Sequence, residues 1–225
     1  MSQIKICGLK RMEDIEAVNE YRPEYIGFVF ANTRRFVSDE TAAELKDALD
    51  SSIKAVGVFV NEPVEHMAKL VAEGTIDMVQ LHGQEDLDYV NQLRAAVKGV
   101  PIIKAVRIDA SLEVTKEREQ EILRENQKLI DEAKALQVDY LLFDAKVKGI
   151  LGGSGKNFDI AGLPSDEAIG MPYFLAGGIG LHNANELIQL RQPFGIDVSS
   201  AVETDGYKDR EKIKEIIDAV RKESK

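Results

Sequence analysis

The chain has 225 residues, of which 44% are hydrophobic and 30% are charged. This composition is typical of globular proteins and excludes an extensively disordered chain. Acidic residues outnumber basic residues by 39 to 29, which gives a formal net charge of -10. Nucleic acid is therefore excluded as an expected partner, because the net charge repels a phosphate backbone.

Cysteine and histidine are scarce, with one Cys and three His residues in the whole chain. A single Cys excludes an intramolecular disulfide framework, and three scattered His residues disfavour a zinc site, so we expect no metal. The N-terminal sequence lacks a basic region followed by an apolar core, and no stretch approaches the ~18 apolar residues of a membrane span. These features predict a cytoplasmic protein without membrane partners.

Short apolar runs alternate with charged segments in which apolar residues recur at helical spacing, beginning with Ile15, Val18 and Tyr21. In chain order, the eight predicted strands are Gln3–Cys7, Tyr25–Phe30, Lys54–Val60, Met78–Leu81, Ile102–Val106, Tyr140–Phe143, Tyr173–Ala176 and Gly195–Val198. Strands that alternate with helices imply parallel βαβ units.

Three residues mark the predicted helix ends. Ser38 is placed to cap the second helix, Pro63 suits the first turn of the third, and Gly74 suits its C-terminal stop. The segment Ser111–Gln137 predicts an elongated fifth helix, whose apolar stripe consists of Ile122, Ile130, Ala133 and Leu136. Its many charges are most simply a solvated face.

Eight βα units favour an α/β fold in which residues 1–225 form a single-domain (β/α)₈ barrel. The alternative is an open, doubly wound sheet. The chain has no G-x-G-x-x-G pattern after its first strand, which favours the barrel.

Chemistry in such barrels is located at the C-terminal ends of the strands, and phosphate is commonly bound by the loops after the last strands. Glycine and serine cluster in three such loops, which predicts a phosphorylated small-molecule substrate held by backbone N–H groups. Each loop taken alone could also be a plain turn. The candidate phosphate-binding residues are Gly152, Gly153, Ser154, Gly155, Gly177, Gly178, Ser199 and Ser200.

Cys7 and Asp144 are the candidate catalytic residues, because they lie at the ends of the first and sixth predicted strands. A base and an acid on opposite sides of one substrate can move a hydrogen between neighbouring carbons. Gly8 is expected to leave room for substrate beside Cys7. The alternatives are a small buried hydrophobic residue for Cys7 and a bracing role for Asp144.

Arg35, His82 and Asp197 are candidate substrate-binding residues at the same end of the barrel. Arg35 offers a planar donor fork suited to a carboxylate, although it could also be a solvated surface arginine. His82 could equally be a hydrogen-bonded structural histidine, and Asp197 could anchor the last loop.

Several motifs together resemble phosphoribosylanthranilate isomerase, in the same order along nearly the whole chain. They are KICGL at Lys5–Leu9, GFVF at Gly27–Phe30, RRFVS at Arg34–Ser38, GVFVNE at Gly57–Glu62, VQLHG at Val79–Gly83, LLFD at Leu141–Asp144, GGSGKNFD at Gly152–Asp159, LAGGI at Leu175–Ile179 and DVSSAVE at Asp197–Glu203.

The resemblance implies a cofactor-free Amadori rearrangement of N-(5′-phosphoribosyl)anthranilate in tryptophan biosynthesis. Cys7 matches the general base of this family and Asp144 its general acid. Arg35 matches the arginine that holds the anthranilate carboxylate, while His82 and Asp197 match residues that line the same end of the site. The glycine loops, Ser199 and Ser200 match the phosphate cradle.

Two features depart from the family pattern. Ala201 stands where SSGVE is more usual, and Ser111–Gln137 is longer than in compact members. Rival interpretations are indole-glycerol-phosphate synthase, a metal-dependent sugar-phosphate epimerase, and a barrel that only binds a phosphorylated metabolite. The first would be expected to show a lysine-centred catalytic set and the second a His/Asp ligand group, while mere binding needs neither Cys7 nor Asp144. The sequence identifies no protein partner.

Overall fold

The computed structural model describes residues 2–109, 115–146 and 162–222. The barrel strands are β1 (Gln3–Cys7), β2 (Tyr25–Val29), β3 (Lys54–Phe59), β4 (Met78–Leu81), β5 (Ile102–Asp109), β6 (Tyr140–Lys146), β7 (Tyr173–Ala176) and β8 (Gly195–Val198). The helices are α1 (Met12–Tyr21), α2 (Asp39–Asp47), α3 (Val64–Ala72), α4 (Leu87–Ala96), α5 (Lys116–Ala135), α6 (Asp166–Ile169), α7 (Ala184–Arg191) and α8 (Arg210–Lys222). A 3-10 turn (Ser200–Val202) and a hairpin of β9 (Glu203–Thr204) and β10 (Tyr207–Lys208) lie between β8 and α8.

The eight long strands form one closed barrel in chain order. Every neighbouring pair is parallel, and β8 closes the barrel by pairing with β1, where Lys5 is opposite Asp197. The predicted (β/α)₈ barrel is therefore confirmed, and an open sheet is excluded. Within the described part of the chain, none of the helices combines the length and the apolar character that a membrane crossing requires.

Side chains on each strand alternate between the barrel interior and the surrounding helices, as the period of two in a strand requires. On β1, Ile4 and Ile6 pack in the large core cluster beneath the helices. Cys7 belongs to a separate interior cluster with Val29 and Val58. The alternation consequently directs the side chains at positions 5 and 7 into the barrel, together with those of Asp144 and Asp197.

The helix ends were predicted correctly at two of three positions. The Ser38 side chain accepts a hydrogen bond from the Thr41 backbone N–H, which confirms it as the N-cap of α2. Gly74 directly follows α3 and has a φ of 75°, as a helix stop requires. Pro63 occupies the N-cap of α3 rather than its first turn, because the regular helix begins only at Val64.

The elongated fifth helix is confirmed as the 20-residue α5, which begins at Lys116 after the cap Thr115. Its predicted residues Ile122, Ile130 and Ala133 are buried, whereas Leu136 is half-buried. Asn126 is an unpredicted member of this face. Its side chain binds the backbone of Asp109 and the carbonyl of Gly162, which satisfies the buried amide.

Four predicted strand ends need correction. β2 and β3 end one residue earlier than expected, at Val29 and Phe59. β5 and β6 extend to Asp109 and Lys146, because their ladder continues through the pairs Arg107↔Asp144 and Asp109↔Lys146. Asp144 thus lies within β6 rather than at its end, and strand pairing restrains its backbone.

Candidate active site

A cavity of about 400 Å³ opens at the C-terminal end of the barrel. Each predicted site residue within the described ranges lines it: Cys7, Arg35, His82, Asp144, Gly177, Gly178, Asp197, Ser199 and Ser200. The predicted residues Gly152, Gly153, Ser154 and Gly155 lie outside the described residues. The barrel therefore gathers side chains and loops from opposite ends of the chain around one cavity.

Cys7 lies at the end of β1 and is buried, with 8% of its surface exposed. Burial raises the pKa of its thiol, although the positive charge of Lys5 opposes this rise. The glycine at position 8 leaves room for the Arg35 side chain, because a Cβ at Gly8 would collide with the Arg35 Cδ. The expectation that Gly8 leaves room for substrate stays a prediction.

Asp144 enters the cavity from β6 and contacts His82, which directly follows β4. The His82 Nε2 atom lies 3.4 Å from Asp144 Oδ2. The other ring nitrogen, Nδ1, lies 3.1 Å from Nε2 of Gln80. Gln80 is buried, and its Oε1 atom has no hydrogen-bond partner among the described residues. The imidazole therefore connects the carboxyl group of Asp144 with a buried amide.

Arg35 is held by Glu203, the first residue of β9, in a bidentate ion pair. Its Nε donates to Oε1 at 2.7 Å and its Nη2 donates to Oε2 at 3.1 Å. Arg34 and Lys208 bind the same carboxylate at 2.8 and 2.9 Å. Burial by itself would raise the pKa of Glu203, but the hydrogen bonds and charges of Arg35 and Lys208 lower it to about 2. The guanidinium is thus held in place before any substrate binds.

Asp197 points into the barrel from β8 and binds Lys5, with 3.0 Å between Oδ1 and the lysine Nζ. The Lys5 side chain is fully buried, and that of Asp197 is 9% exposed. Asp197 therefore both lines the cavity and neutralises a buried lysine. Its alternative role was to anchor the last loop, and the contact with Lys5 differs from that role.

The loop after β7 depends on glycine at two positions, since Gly177 and Gly178 have φ values of 85° and 72°. A Cβ at Gly177 would lie 2.6 Å from the Ala145 backbone nitrogen and 2.9 Å from Asp144 Oδ1. Glycine therefore permits the loop to approach β6 and the carboxyl group of Asp144 closely.

The loop after β8 is tied to β1, because the Ser199 hydroxyl donates to the Cys7 carbonyl at 2.9 Å. Ser200 is exposed and begins the 3-10 turn. Ala201 lies in this turn without a positive φ, so alanine fits the backbone there. A methyl group placed at Gly180 would lie 3.0 Å from the Ala201 Cβ, which indicates that the loops after β7 and β8 pack closely.

Sequence reasoning missed several residues of this site, namely Lys5, Gln80, Arg107, Glu203 and Lys208. For three of them a signal was present. Lys5 and Gln80 each precede a predicted site residue by two positions, and Arg107 continues the inward-facing series of β5, so the period of two in a strand places all three inside the barrel. Glu203 and Lys208 carry no such local signal, since they reach the site through a turn and a hairpin.

Among residues 2–109, 115–146 and 162–222, no three His, Cys, Asp or Glu side chains are grouped in a way that could hold a metal ion. The ionisable groups that line the described cavity are a thiol, two carboxyl groups, an imidazole and two guanidinium groups. The fold and the cavity together define a (β/α)₈-barrel enzyme equipped with groups for proton transfer.

Residues 4–219 match the model of the N-(5′-phosphoribosyl)anthranilate (PRA) isomerase family, and the chain belongs to this family. It is 44% identical over 223 residues to the N-(5′-phosphoribosyl)anthranilate isomerase of Lachnoclostridium phytofermentans, covering 95% of this chain and 94% of the relative. These matches confirm the resemblance noted in the sequence.

Solved structures agree with this assignment. The phosphoribosyl anthranilate isomerase of Thermotoga maritima is 31% identical with a TM-score of 0.78, covering 99% of this chain and all of that chain. A phosphoribosyl anthranilate isomerase in complex with reduced 1-(o-carboxyphenylamino)-1-deoxyribulose 5-phosphate is 26% identical with a TM-score of 0.71, over 99% and 100% of the two chains.

Proposed function

We propose that this chain catalyses the Amadori rearrangement of N-(5′-phosphoribosyl)anthranilate to 1-(2-carboxyphenylamino)-1-deoxyribulose 5-phosphate, a step of tryptophan biosynthesis. The observation that carries this proposal is family membership over residues 4–219, combined with a cavity lined by both Cys7 and Asp144. The reaction needs only an acid and a base, so no cofactor is proposed.

Asp144 is proposed as the general acid that protonates the furanose ring oxygen. The C1′–O bond then breaks, and the nitrogen lone pair forms the C=N bond of a Schiff base. The nearby imidazole of His82 supports this role, because its Nε2 lies 3.4 Å from Asp144 Oδ2 and so places a polar group beside the carboxyl group. Strand pairing of Asp144 with Arg107 restrains the backbone as well.

Cys7 is proposed as the general base that removes the proton from C2′ of the Schiff base. The C–H electrons form the C1′=C2′ bond of an enol, and the C=N electrons return to the nitrogen. Tautomerisation then yields the ketone of the product. β1 and β6 are separated by β7 and β8 in the barrel, so the thiol and the carboxyl group enter the cavity from different walls.

The two anionic groups of the substrate are assigned to different loops around the cavity. Arg35 is proposed to bind the anthranilate carboxylate through its Nη1, which donates to no acceptor within the described ranges. The phosphate is proposed to bind at Gly177, Gly178, Ser199 and Ser200, and the sequence-based candidates Gly152, Gly153, Ser154 and Gly155 remain part of this proposal. Glycine and exposed serine at these loops support a backbone cradle for an anion.

Three statements remain predictions: a cytoplasmic location, the absence of nucleic-acid partners, and a single domain over residues 1–225. The net charge of -10 supports the exclusion of nucleic acid.

The decisive experiment is turnover of freshly prepared N-(5′-phosphoribosyl)anthranilate by the purified chain, followed as loss of its anthranilate-type fluorescence. We expect turnover by the wild-type chain and a loss of turnover in Cys7→Ser, which keeps a group of similar size. The absence of turnover by the folded wild-type chain would refute the proposed activity.

A further inference from the structure

A buried ion pair lies inside the barrel directly below Cys7. The Lys5 side chain is fully buried, and its Nζ lies 3.0 Å from Asp197 Oδ1 on the neighbouring strand β8. The two residues are opposite each other in the ladder between β1 and β8. The pair thus lies in the interior of the barrel, and neither of its members donates or accepts a proton in the proposed acid-base mechanism.

Lys5 and Cys7 project from the same face of β1, and both pack against Gly27 of β2. A methyl group at Gly27 would lie 2.8 Å from the Cys7 sulfur and 3.3 Å from the Lys5 Nζ. The ammonium group and the thiol are therefore neighbours in the space that this glycine leaves open.

Packing alone does not account for charged residues at this position. The next interior layer is apolar, with Val56, Ile103 and Phe174 among its members. A buried ion pair is on average no more stabilising than apolar side chains of similar volume, because both charges lose their hydration. The neighbouring thiol is the group on which the Lys5 charge acts at short range.

We propose that Lys5 is a positioning residue whose buried ammonium group stabilises the thiolate of Cys7, and that Asp197 keeps this ammonium group protonated and in place. This inference rests on the proposed function of Cys7 as the general base. It assigns Asp197 a role through Lys5 in addition to its place in the wall of the cavity.

The charges around the thiol support this arrangement. Burial raises the pKa of Cys7, Lys5 and Lys208 lower it, and Asp197 raises it. The loop after β2 brings Arg35 over Gly8, next to Cys7. Burial by itself would lower the pKa of Lys5, but Asp197 and Cys7 raise it above its ordinary value, so Lys5 stays cationic at neutral pH. Of the charges around Cys7, that of Lys5 contributes most to favouring the thiolate.

The test measures the rate of Cys7 alkylation by iodoacetamide as a function of pH, and the same variants are assayed for turnover across this pH range. Cys7 is the only thiol in the chain, so alkylation detected by mass spectrometry reports on it alone. The variants are Lys5→Met, which removes the ammonium group, and Lys5→Met with Asp197→Asn, which removes both charges. The double variant decides the test if the single variant, with its unpaired buried carboxylate, does not fold.

A matched control is the double variant Lys104→Met with Glu85→Gln. It removes another buried lysine and its carboxylate partner, on β5 and in the loop after β4. These residues do not line the cavity that contains Cys7. The control therefore reproduces the loss of a buried ion pair without changing the charges beside the thiol.

We expect the alkylation rate constant at pH 7 to fall about tenfold or more in Lys5→Met, because an opposite charge at close range strongly favours the ionised form. The fall in the rate constant should be smaller in the double variant, because the negative charge of Asp197 opposes the thiolate and its removal partly offsets the loss of Lys5. The acid limb of the pH profile of kcat should move to higher pH in the same order.

Alkylation profiles that coincide with that of the wild-type chain would overturn the role of Lys5, and so would an equal displacement in the Lys104 control. Failure of the proposed base is recognised separately. Normal turnover by Cys7→Ser would remove Cys7 from the mechanism whatever the alkylation profiles show.

Discussion

Glu203 stabilises the folded protein through its contacts with cations on two separate segments, and replacing it with Gln should measure this contribution. Its carboxylate accepts hydrogen bonds from Arg35 and Lys208, whose side chains are 23% and 1% exposed. The Glu203 side chain itself is 6% exposed, so solvent screens these contacts weakly. The contact with Arg34 adds little, because 61% of that side chain is exposed.

The pKa of Glu203 falls from its ordinary value of 4.5 to about 2. At about 1.36 kcal/mol for each unit of pKa, this shift corresponds to about 3 kcal/mol by which the folded state favours the ionised carboxylate. Because the pKa in the folded state is depressed, the contribution is fully present above about pH 4.5. It is lost as the pH falls through about 2.

Urea unfolding of the wild-type chain and of Glu203→Gln, at pH 7 and at steps down to pH 2.5, checks this prediction. We expect the variant to be less stable at pH 7 by about 3 kcal/mol or somewhat less, and the difference should shrink steadily below pH 4.5. Glu44→Gln on the exposed face of α2 serves as the control and should leave the unfolding midpoint unchanged. A difference that stays constant from pH 7 to 2.5 would refute the electrostatic explanation.

Three further predictions concern catalysis, binding and pH. Cys7→Ser and Asp144→Asn should each lower kcat by about 10²–10⁴-fold while the fold is retained by circular dichroism, and a change below tenfold would contradict either role. Arg35→Ala should weaken substrate binding by about 1.5–3 kcal/mol in calorimetric titrations, whereas an analogue without the carboxylate should bind both proteins alike. His66 lies 2.7 and 2.8 Å from two carboxylates, on Asp39 and Glu62. Burial alone would lower the pKa of His66, but these carboxylates raise it above 6.5. The contribution of His66 to the stability of the folded protein should therefore be complete below pH 6.5 and vanish as the pH rises through the raised pKa. Comparing the unfolding free energies of the wild-type chain and His66→Gln at each pH measures this contribution. A difference in unfolding free energy between the two proteins that stays the same from pH 6 to pH 9 would contradict this prediction.

The order and number of the barrel strands followed from local pattern alone. Apolar runs and helically spaced apolar residues can each be recognised within a short stretch of sequence. Their alternation predicted the eight strands and the long α5. Strand ends were less accurate at the mouth of the barrel. β5 and β6 continue to Asp109 and Lys146 because each supplies the hydrogen-bond partners of the other there, and a single run cannot reveal its partner's length.

The site divides in the same way. Position at the end of a predicted strand, together with the family motifs, was sufficient to place Cys7, Asp144 and His82 at one cavity, because barrel architecture directs those positions to one mouth. The sequence by itself determined which residue types stand there. Only the tertiary structure decided what each one contacts. Glu203 holds Arg35 across 168 residues, and Asp197 holds Lys5 across 192. Such pairs arise when the closing barrel brings the two ends of the chain together, and their charges set one another's pKa values through space rather than along the chain.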